Sequence, residues 1–256
     1  MAIFVLVHGG GHGAWCWDRV VPLLRKAGHG VHVPTLTGVG ERFDELTADV
    51  GLATHVEDIV DLFESADLRE AILVGHSYGG TVITGAAGRI GHRIAELVFL
   101  DAPHPRNGEN LCDASPGGLA VFEAAMQKQD GVPLTLFPDE ALLAAFGLVE
   151  PADAAWAMQH LTPHPMRCFL DRLDIADEAA LAAIPRTSVD CVETLARRGP
   201  EIRARAKAAD RCYEIDTGHD LMISEPARTA EILLEIAARP LGKRSRDESQ
   251  GDGEEG

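Results

Sequence analysis

The sequence predicts an α/β fold: a doubly wound, mostly parallel sheet with a helical cap inserted into it. Three observations carry this prediction. Short runs of β-branched and other apolar residues recur along the chain and are nearly continuous in hydrophobicity, which suits strands buried on both faces. Segments with apolar residues at helical spacing alternate with these runs, as in right-handed β-α-β crossovers. One long central stretch has no convincing strand, which indicates an insertion made of helices.

The individual strands and helices follow from these apolar patterns. The predicted strands are, in chain order, residues 3–7, 30–33, 71–75, 95–100, 187–192 and 211–215. The predicted helices are residues 15–27, 52–65, 79–90, 200–208 and 226–238. The second helix has the clearest pattern, because Val56, Ile59 and Phe63 recur at the spacing of one helix face.

The chain divides into a predicted core, cap and tail. Residues 103–185 are the predicted helical cap, whose short helical segments are broken by prolines at positions 116, 133, 138, 151, 163 and 165. Residues 1–102 and 186–240 form the predicted core, which has the size of a single domain. Residues 241–256 have almost no apolar side chain to offset the entropy of ordering, and are predicted to be a disordered acidic tail.

Composition bounds the partners and the compartment. The formal net charge of −17 argues against binding of nucleic acid or an anionic membrane, because both need clustered Lys and Arg. The first apolar run ends at His8, too early for a signal peptide or a membrane span. The five cysteines are scattered without a C-x-x-C pair, which predicts reduced thiols in a cytoplasmic protein.

The pentapeptide Gly75-His76-Ser77-Tyr78-Gly79 directly follows a predicted buried strand. A serine flanked by glycines at this place can occupy the strained strand-to-helix turn that exposes its hydroxyl, the nucleophile elbow. A glycine-rich turn with an idle serine is the alternative. The small residues after the motif favour a helix packed closely on a sheet, so we predict Ser77 as a nucleophile.

A serine nucleophile needs a histidine to accept its proton and an acid to orient that histidine. The elbow implies the chain order serine, acid, histidine, so the base is expected late in the chain. His219 fits, because it follows the last predicted strand and a turn.

The other histidines fit this role less well. His55 and His92 are expected at solvated helix positions. His160 and His164 have a spacing that a metal pair could use, but Pro163 disrupts the helix that would align them, so no metal is predicted.

Two loops rich in glycine can supply backbone N–H groups to a developing negative charge. The segment His8-Gly9-Gly10-Gly11 ends the first strand and points to Gly10 as one donor, while Tyr78 after the nucleophile is the other.

The acid of the site has two candidates. After the strand 187–192 the usual acid position falls at Thr194, with Glu193 beside it. Asp101 ends the strand 95–100, and a short carboxylate at the carboxyl end of a parallel strand points into the active-site crevice. We therefore prefer Asp101 and keep Glu193 as the alternative acid. A purely structural role for Asp101, bracing the turn at Pro103, stays open.

The cap is expected to supply an apolar pocket above the serine. The predicted pocket residues are Gly11, His12, Phe122, Trp156 and Phe169. The aromatic members could equally form the core of the cap itself. The cap has no clustered Lys or Arg to pair with a charged substrate, so the expected partner is a small lipophilic molecule. The oligomeric state is not predicted.

Several segments together resemble the α/β-hydrolases of the plant methylesterase and hydroxynitrile lyase group and their bacterial esterase relatives. These segments are residues 4–17, 75–80, 100–102, 161–163 and 217–220. The resemblance implies hydrolysis of a small lipophilic ester, carbamate or related acyl compound without a cofactor. It carries the nucleophile onto Ser77, the base onto His219 and the oxyanion donors onto Gly10 and Tyr78.

The sequence departs from this group at two places. Thr194 stands where an aspartate is expected, which is why the acid is open. The lyase branch has a lysine after the catalytic histidine, whereas this chain has Asp220, whose negative charge is expected to repel an anion formed there.

Three functions compete on this sequence. The preferred one is a serine hydrolase of the carboxylesterase type. The alternative is a non-hydrolytic enzyme of natural-product metabolism, a cofactor-free oxygenase or a cyclase, in which His219 acts as base and Ser77 only hydrogen-bonds. The third is a ligand-binding module with a vestigial triad, which the retention of Ser77 and His219 disfavours.

Overall fold

A computed structural model describes residues 1–114 and 118–239. Its central sheet has six strands in the order β2-β1-β3-β4-β8-β9, and every neighbouring pair is parallel. The strands are β1 (Ile3–Val7), β2 (Gly30–His32), β3 (Ala71–His76), β4 (Ile94–Leu100), β8 (Arg186–Cys191) and β9 (Arg211–Ile215). All six predicted strands are present with ends within one residue, so the doubly wound parallel sheet is confirmed. The predicted tail, residues 241–256, lies outside the described part of the chain.

Helices cover both faces of this sheet. They are α1 (Val21–Lys26), α2 (Leu52–Ser65), α3 (Gly79–Ile90), α11 (Pro200–Lys207) and α13 (Pro226–Ala237), with the short helices α10 (Val192–Leu195) and α12 (Leu221–Ser224). The predicted helix 15–27 is instead a 3₁₀ turn, Ala14–Trp17, followed by α1. Pro22 explains the late start of α1, because proline lacks an N–H and is suited to a first helical turn.

Successive residues of β1 point to opposite faces and enter two separate cores, as the pleat requires. Val5 and Val7 belong to a buried cluster with α2 and α3, whereas Phe4 and Leu6 belong to a cluster with α1 and α13. The two cores pack against opposite faces of the sheet. They therefore hold in place the side chains at the carboxyl ends of the strands.

His55 on α2 was expected in solvent, and this prediction is wrong. Its side chain is fully buried, with Nδ1 2.9 Å from the Tyr78 hydroxyl and Nε2 2.8 Å from the carbonyl oxygen of Thr37. Both ring nitrogens have partners, which is what makes burial of this polar ring tolerable.

Between β4 and β8 the chain leaves the sheet. It forms the short helices α4 (Leu111–Ala114), α5 (Gly118–Ala124), α6 (Glu140–Ala145), α7 (Pro151–Met158), α8 (Arg167–Leu170) and α9 (Glu178–Ala182). The expectation of no strand here is wrong, because this segment also holds an antiparallel sheet made of β5 (Gln127–Gln129), β6 (Val132–Thr135) and β7 (His164–Pro165).

The missed strands are too short and too polar for an apolar pattern to reveal them. The turn between β5 and β6 did carry a signal: Asp130-Gly131 is a two-residue connection in which both residues have positive φ, 50° and 85°. That dipeptide is typical of a tight hairpin.

Two further facts bear on the sequence expectations. The five cysteines are unpaired, and only Cys212 is exposed. Among the described residues, no helix is both long enough and apolar enough to cross a membrane. The cytoplasmic location stays a prediction.

Candidate active site

Ser77 lies at the sharp turn between β3 and α3. Its φ is +51°, a left-handed conformation that is uncommon for a residue with a side chain, and its N–H donates to the carbonyl of Leu100 at 3.1 Å. The flanking glycines are required by close backbone approach: a Cβ on Gly79 would lie 2.8 Å from the carbonyl oxygen of His8, and one on Gly75 would lie 2.6 Å from that of Gly79. The pentapeptide therefore forms the strained turn that the sequence predicted.

The structure brings Ser77, His219 and Asp101 together. His219 follows β9, and its Nε2 lies 2.8 Å from Ser77 Oγ. Its Nδ1 lies 2.5 Å from Oδ2 of Asp101, which directly follows β4. The alternative acid, Glu193, is exposed on α10, whereas Asp101 is 2% exposed. This is the geometry of a serine–histidine–carboxylate triad.

The second carboxylate oxygen of Asp101 accepts three hydrogen bonds. The donors are the N–H of Cys191 at 3.2 Å, the hydroxyl of Thr194 at 2.6 Å and the guanidinium of Arg198 at 2.6 Å. Thr194, the residue at the expected aspartate position, thus binds the carboxylate instead of supplying it. Because Oδ1 is occupied in this way, Oδ2 is left to His219.

The charges of these groups are coupled. Burial acts to raise the pKa of Asp101, but the hydrogen bond and charge of His219, with the charge of Arg198, outweigh burial and lower the pKa to about 2. Burial acts to lower the pKa of His219, but the hydrogen bond and charge of Asp101 raise it above its ordinary 6.5. Asp101 is therefore a carboxylate at neutral pH that favours an imidazolium on His219.

Gly10 and Tyr78 lie at the wall of the cavity in front of Ser77. Within the described residues, neither of their backbone N–H groups has a hydrogen-bond acceptor. The Tyr78 ring points the other way and is buried against His55. Two unoccupied donors beside a serine hydroxyl can receive a developing oxyanion.

The cavity holds about 300 Å³ and is mostly apolar. Phe122 and Phe169, both predicted in the pocket, lie in its wall and stack on each other with ring centroids 4.7 Å apart. Much of the remaining lining is also apolar and includes Leu111, Leu136, Leu142, Phe146 and Ile202. Such a space suits a small lipophilic ligand.

Residues 4–232 match the alpha/beta hydrolase family, which is most of the chain. The chain belongs to this family. Over 154 residues it is 50% identical to the carbendazim hydrolyzing esterase of Nocardioides sp. (strain SG-4G), covering 60% of this chain and 61% of that protein. It is 29% identical over 256 residues to putative methylesterase 13, chloroplastic, of Arabidopsis thaliana, covering 94% of this chain and 57% of that protein. The chain therefore spans about three fifths of the length of these relatives.

A solved structure with the same fold is an extracellular alpha/beta-hydrolase from a Paenibacillus species. It superposes with a TM-score of 0.80 at 26% identity, covering 92% of this chain and 98% of that one. The family, the methylesterase-like neighbours and the fold expected from the sequence motifs are thus confirmed.

Three residues predicted in the pocket of this hydrolase-family chain lie outside the cavity wall: Gly11, His12 and Trp156. The peptide of Gly11 is bound by Thr162, whose N–H donates to the Gly11 carbonyl at 3.0 Å. His12 is buried and faces Asp220, and Trp156 packs edge-on against Trp15 at 5.1 Å. Gly11, His12 and Trp156 thus contact other parts of the protein and do not line the cavity.

Asp220 is also placed differently from the expectation. Its carboxylate is fully buried, and Oδ2 lies 2.9 Å from Nε2 of His12. Asp220 is not part of the cavity wall. The carboxylate therefore contacts a histidine inside the protein and does not face the pocket directly. The expected repulsion of an anion formed in the pocket stays a prediction.

Two groups of buried side chains place potential metal-ligating atoms within 4.8 Å of one another: His55 with His164 and Cys168, and His12 with His76 and Asp220. Hydrogen bonds disfavour both as metal sites. Nδ1 of His164 accepts the N–H of Gly11 at 3.2 Å, so its Nε2 carries the proton, and Nε2 of His76 faces the carbonyl oxygen of His219 at 3.0 Å and donates to it. A protonated nitrogen has no lone pair for a metal, and the sequence expectation of no metal stays a prediction.

Sequence reasoning missed Arg198. Arg198 lies in a loop beyond α10 with no motif around it, and it bridges Asp101 and Asp190, the latter at 2.7 Å. Only its distance of a few residues from Thr194 could have drawn attention to it.

Proposed function

We propose that this protein is a serine hydrolase of the carboxylesterase type that cleaves a small lipophilic ester or a related acyl compound. The single observation that carries the proposal is the 2.8 Å contact between Ser77 Oγ and His219 Nε2 at the floor of an apolar cavity. The family assignment and the esterase names of its relatives support the same activity.

In the proposed reaction His219 takes the proton of Ser77 while Oγ attacks the substrate carbonyl carbon. The carbonyl oxygen becomes an oxyanion, which the N–H groups of Gly10 and Tyr78 stabilise. His219 then gives its proton to the leaving alkoxide, leaving an acyl group on Ser77. Water attacks this acyl group with His219 again as base, and the acid is released. Asp101 holds the ring and stabilises the imidazolium in both halves.

A panel of neutral p-nitrophenyl esters tests the activity, with intact mass recorded after a fluorophosphonate probe. One probe adduct per chain, located on Ser77, is expected. Because the 50% identical relative is named for carbendazim hydrolysis, carbendazim, a neutral aromatic carbamate, belongs in the panel. Absence of both turnover and adduct would contradict the proposal.

Neutral esters are expected to be better substrates than anionic ones. Arg198 is the only Lys or Arg among the described residues of the cavity wall, and Asp101 and Asp190 already bind its guanidinium. A substrate carboxylate would therefore lose its hydration without gaining a free cation. The measurement is kcat/KM for a neutral ester and for an analogue of equal size with a carboxylate. A higher value for the anion would contradict an apolar pocket.

The pH dependence follows from His219. The proposed base must be neutral to accept a proton, and Asp101 raises the pKa of His219 above 6.5. Activity is therefore expected to be present above this raised pKa and to be lost as the pH falls through it. A profile of kcat/KM from about pH 5 to about pH 9, with a substrate that does not titrate, checks this. An acid limb centred below 6.5 would show that another group governs the rate.

A further inference from the structure

Three buried histidines hold the loop that carries Gly10. Nδ1 of His8 lies 2.8 Å from the carbonyl oxygen of Gly9, and Nδ1 of His12 lies 2.9 Å from that of Gly10. On the other side of the loop, Nδ1 of His164 accepts the N–H of Gly11 at 3.2 Å. All three side chains are at most 1% exposed. Successive peptides of the proposed oxyanion loop are thus fixed by imidazole rings.

The partners of each ring define its protonation state. Nε2 of His8 accepts the N–H of Leu36 at 3.1 Å, so only Nδ1 carries a proton. In His164 the proton is on Nε2. Both rings are neutral, in keeping with the effect of burial, which lowers the pKa of His8 to about 3 and that of His164 well below its ordinary value.

His12 differs, because both of its nitrogens face oxygen acceptors. Nδ1 meets the Gly10 carbonyl, and Nε2 meets Oδ2 of Asp220 at 2.9 Å. A neutral imidazole has one N–H and can satisfy only one of them. Either His12 is an imidazolium beside a carboxylate, or it is neutral and Asp220 carries the second proton.

The surroundings of Asp220 favour the charged pair. Burial acts to raise the pKa of Asp220, but the charge and hydrogen bond of His12, with the charges of His76 and His219, lower it overall. Oδ1 of Asp220 has no hydrogen-bond partner among the described residues, because Nε2 of His76, 3.7 Å away, donates to the carbonyl of His219 instead. The contact with His12 is therefore the one that can offset the cost of burying this carboxylate.

The pair also connects two parts of the proposed machinery. His12 is two residues after Gly10, and Asp220 is the residue after His219. We propose that His12 and Asp220 form a buried imidazolium–carboxylate pair that positions the oxyanion loop against the loop that carries His219. The functional part rests on the proposed esterase activity; the pair itself does not. Both are positioning residues, since neither lies in the cavity wall.

The first test reads the protonation state directly. In the full chain labelled with ¹⁵N-histidine, both ring nitrogens of His12 are expected to be protonated, whereas His8 and His164 are expected to carry one ring proton each. In Asp220→Asn the amide can donate to Nε2, so one nitrogen of His12 is expected to lose its proton. Asp216→Asn is the matched control, because it removes the same charge from an exposed side chain of the same loop. A wild-type His12 ring with one unprotonated nitrogen, under the conditions of the activity assay, would overturn the pair.

The second test reads positioning. The charged and titratable groups that act on His219 are Asp101, Asp220, Arg198 and His76. Because Asp220 raises the pKa of His219, Asp220→Asn is expected to move the acid limb of kcat/KM to lower pH. A shift of the Gly10 loop relative to the loop that carries His219 is expected to lower kcat on the order of 10- to 100-fold, with KM within about threefold. Asp216→Asn should keep the wild-type profile.

The outcomes separate the two proposals. Wild-type kcat and pH profile in Asp220→Asn, with the ring proton lost, would overturn the positioning role. A doubly protonated His12 in a protein that cleaves no ester would support the pair and contradict the proposed function. If Asp220→Asn does not fold, the wild-type ring spectrum still decides whether the pair exists.

Discussion

Replacement of Ser77 by Ala is expected to lower kcat for a neutral ester on the order of 10⁴- to 10⁶-fold, as removal of a nucleophile from such a triad does. The reason is geometric. The left-handed turn at φ +51° holds Oγ at the cavity, and His219 lies 2.8 Å away to take its proton. Without the hydroxyl no acyl intermediate can form, and only the oxyanion donors and binding remain to assist attack by water.

Two measurements check this expectation. Steady-state kinetics on a p-nitrophenyl ester give the loss in kcat, and intact mass after a fluorophosphonate probe should show an adduct on the wild type but not on Ser77→Ala. Ser65→Ala is a suitable control, because Ser65 is an exposed serine at the end of α2. It should keep both activity and labelling.

The opposite result has a definite meaning. Near-normal turnover by Ser77→Ala would favour the non-hydrolytic alternative, in which His219 deprotonates a bound substrate and Ser77 only hydrogen-bonds. In that event His219→Ala should still abolish turnover.

The sequence could predict the elements whose residues satisfy one dominant requirement. The strands β1, β3 and β4 are buried on both faces along nearly their whole length, so their apolar runs mark them within a residue. Helix α2 has one apolar face, which marks it from Leu52 to Ser65. Ser77 and His219 were predictable because the elbow needs glycines at fixed places and the base needs a loop after the last strand. Their catalytic roles are what the two mutational tests address.

Other features depend on tertiary contacts that no local pattern carries. His55 resembles any polar helix residue until the Tyr78 hydroxyl and the Thr37 carbonyl satisfy its ring. Arg198 matters only because β4 brings Asp101 to it from 97 residues away. The choice between Asp101 and Glu193 was likewise a question of which strand end faces His219.

Replacement of Asp101 by Asn is expected to lower kcat on the order of 10³- to 10⁴-fold with the fold intact. Oδ2 of Asp101 accepts a hydrogen bond from Nδ1–H of His219 at 2.5 Å. The amide of an asparagine in its place can present an N–H there. That favours the wrong imidazole tautomer and removes the charge that stabilises the imidazolium. Kinetics on the same neutral ester measure the loss, and Glu193→Gln, which changes an exposed carboxylate on α10, should cost little.

The same geometry makes a rescue test possible. Thr194 Oγ1 lies 2.6 Å from Oδ1 of Asp101. A carboxylate introduced by Thr194→Asp would therefore lie close to the position of the Asp101 carboxylate, but would come from α10, after β8. In the Asp101→Asn background this second change is expected to recover part of the lost kcat, because Arg198 remains to pair with the new charge and His219 regains an acidic partner. Loss of activity in Glu193→Gln together with full activity in Asp101→Asn would show instead that the acid comes from α10. Asp101 would then be a brace for the turn at Pro103, the structural role that its position alone also allows.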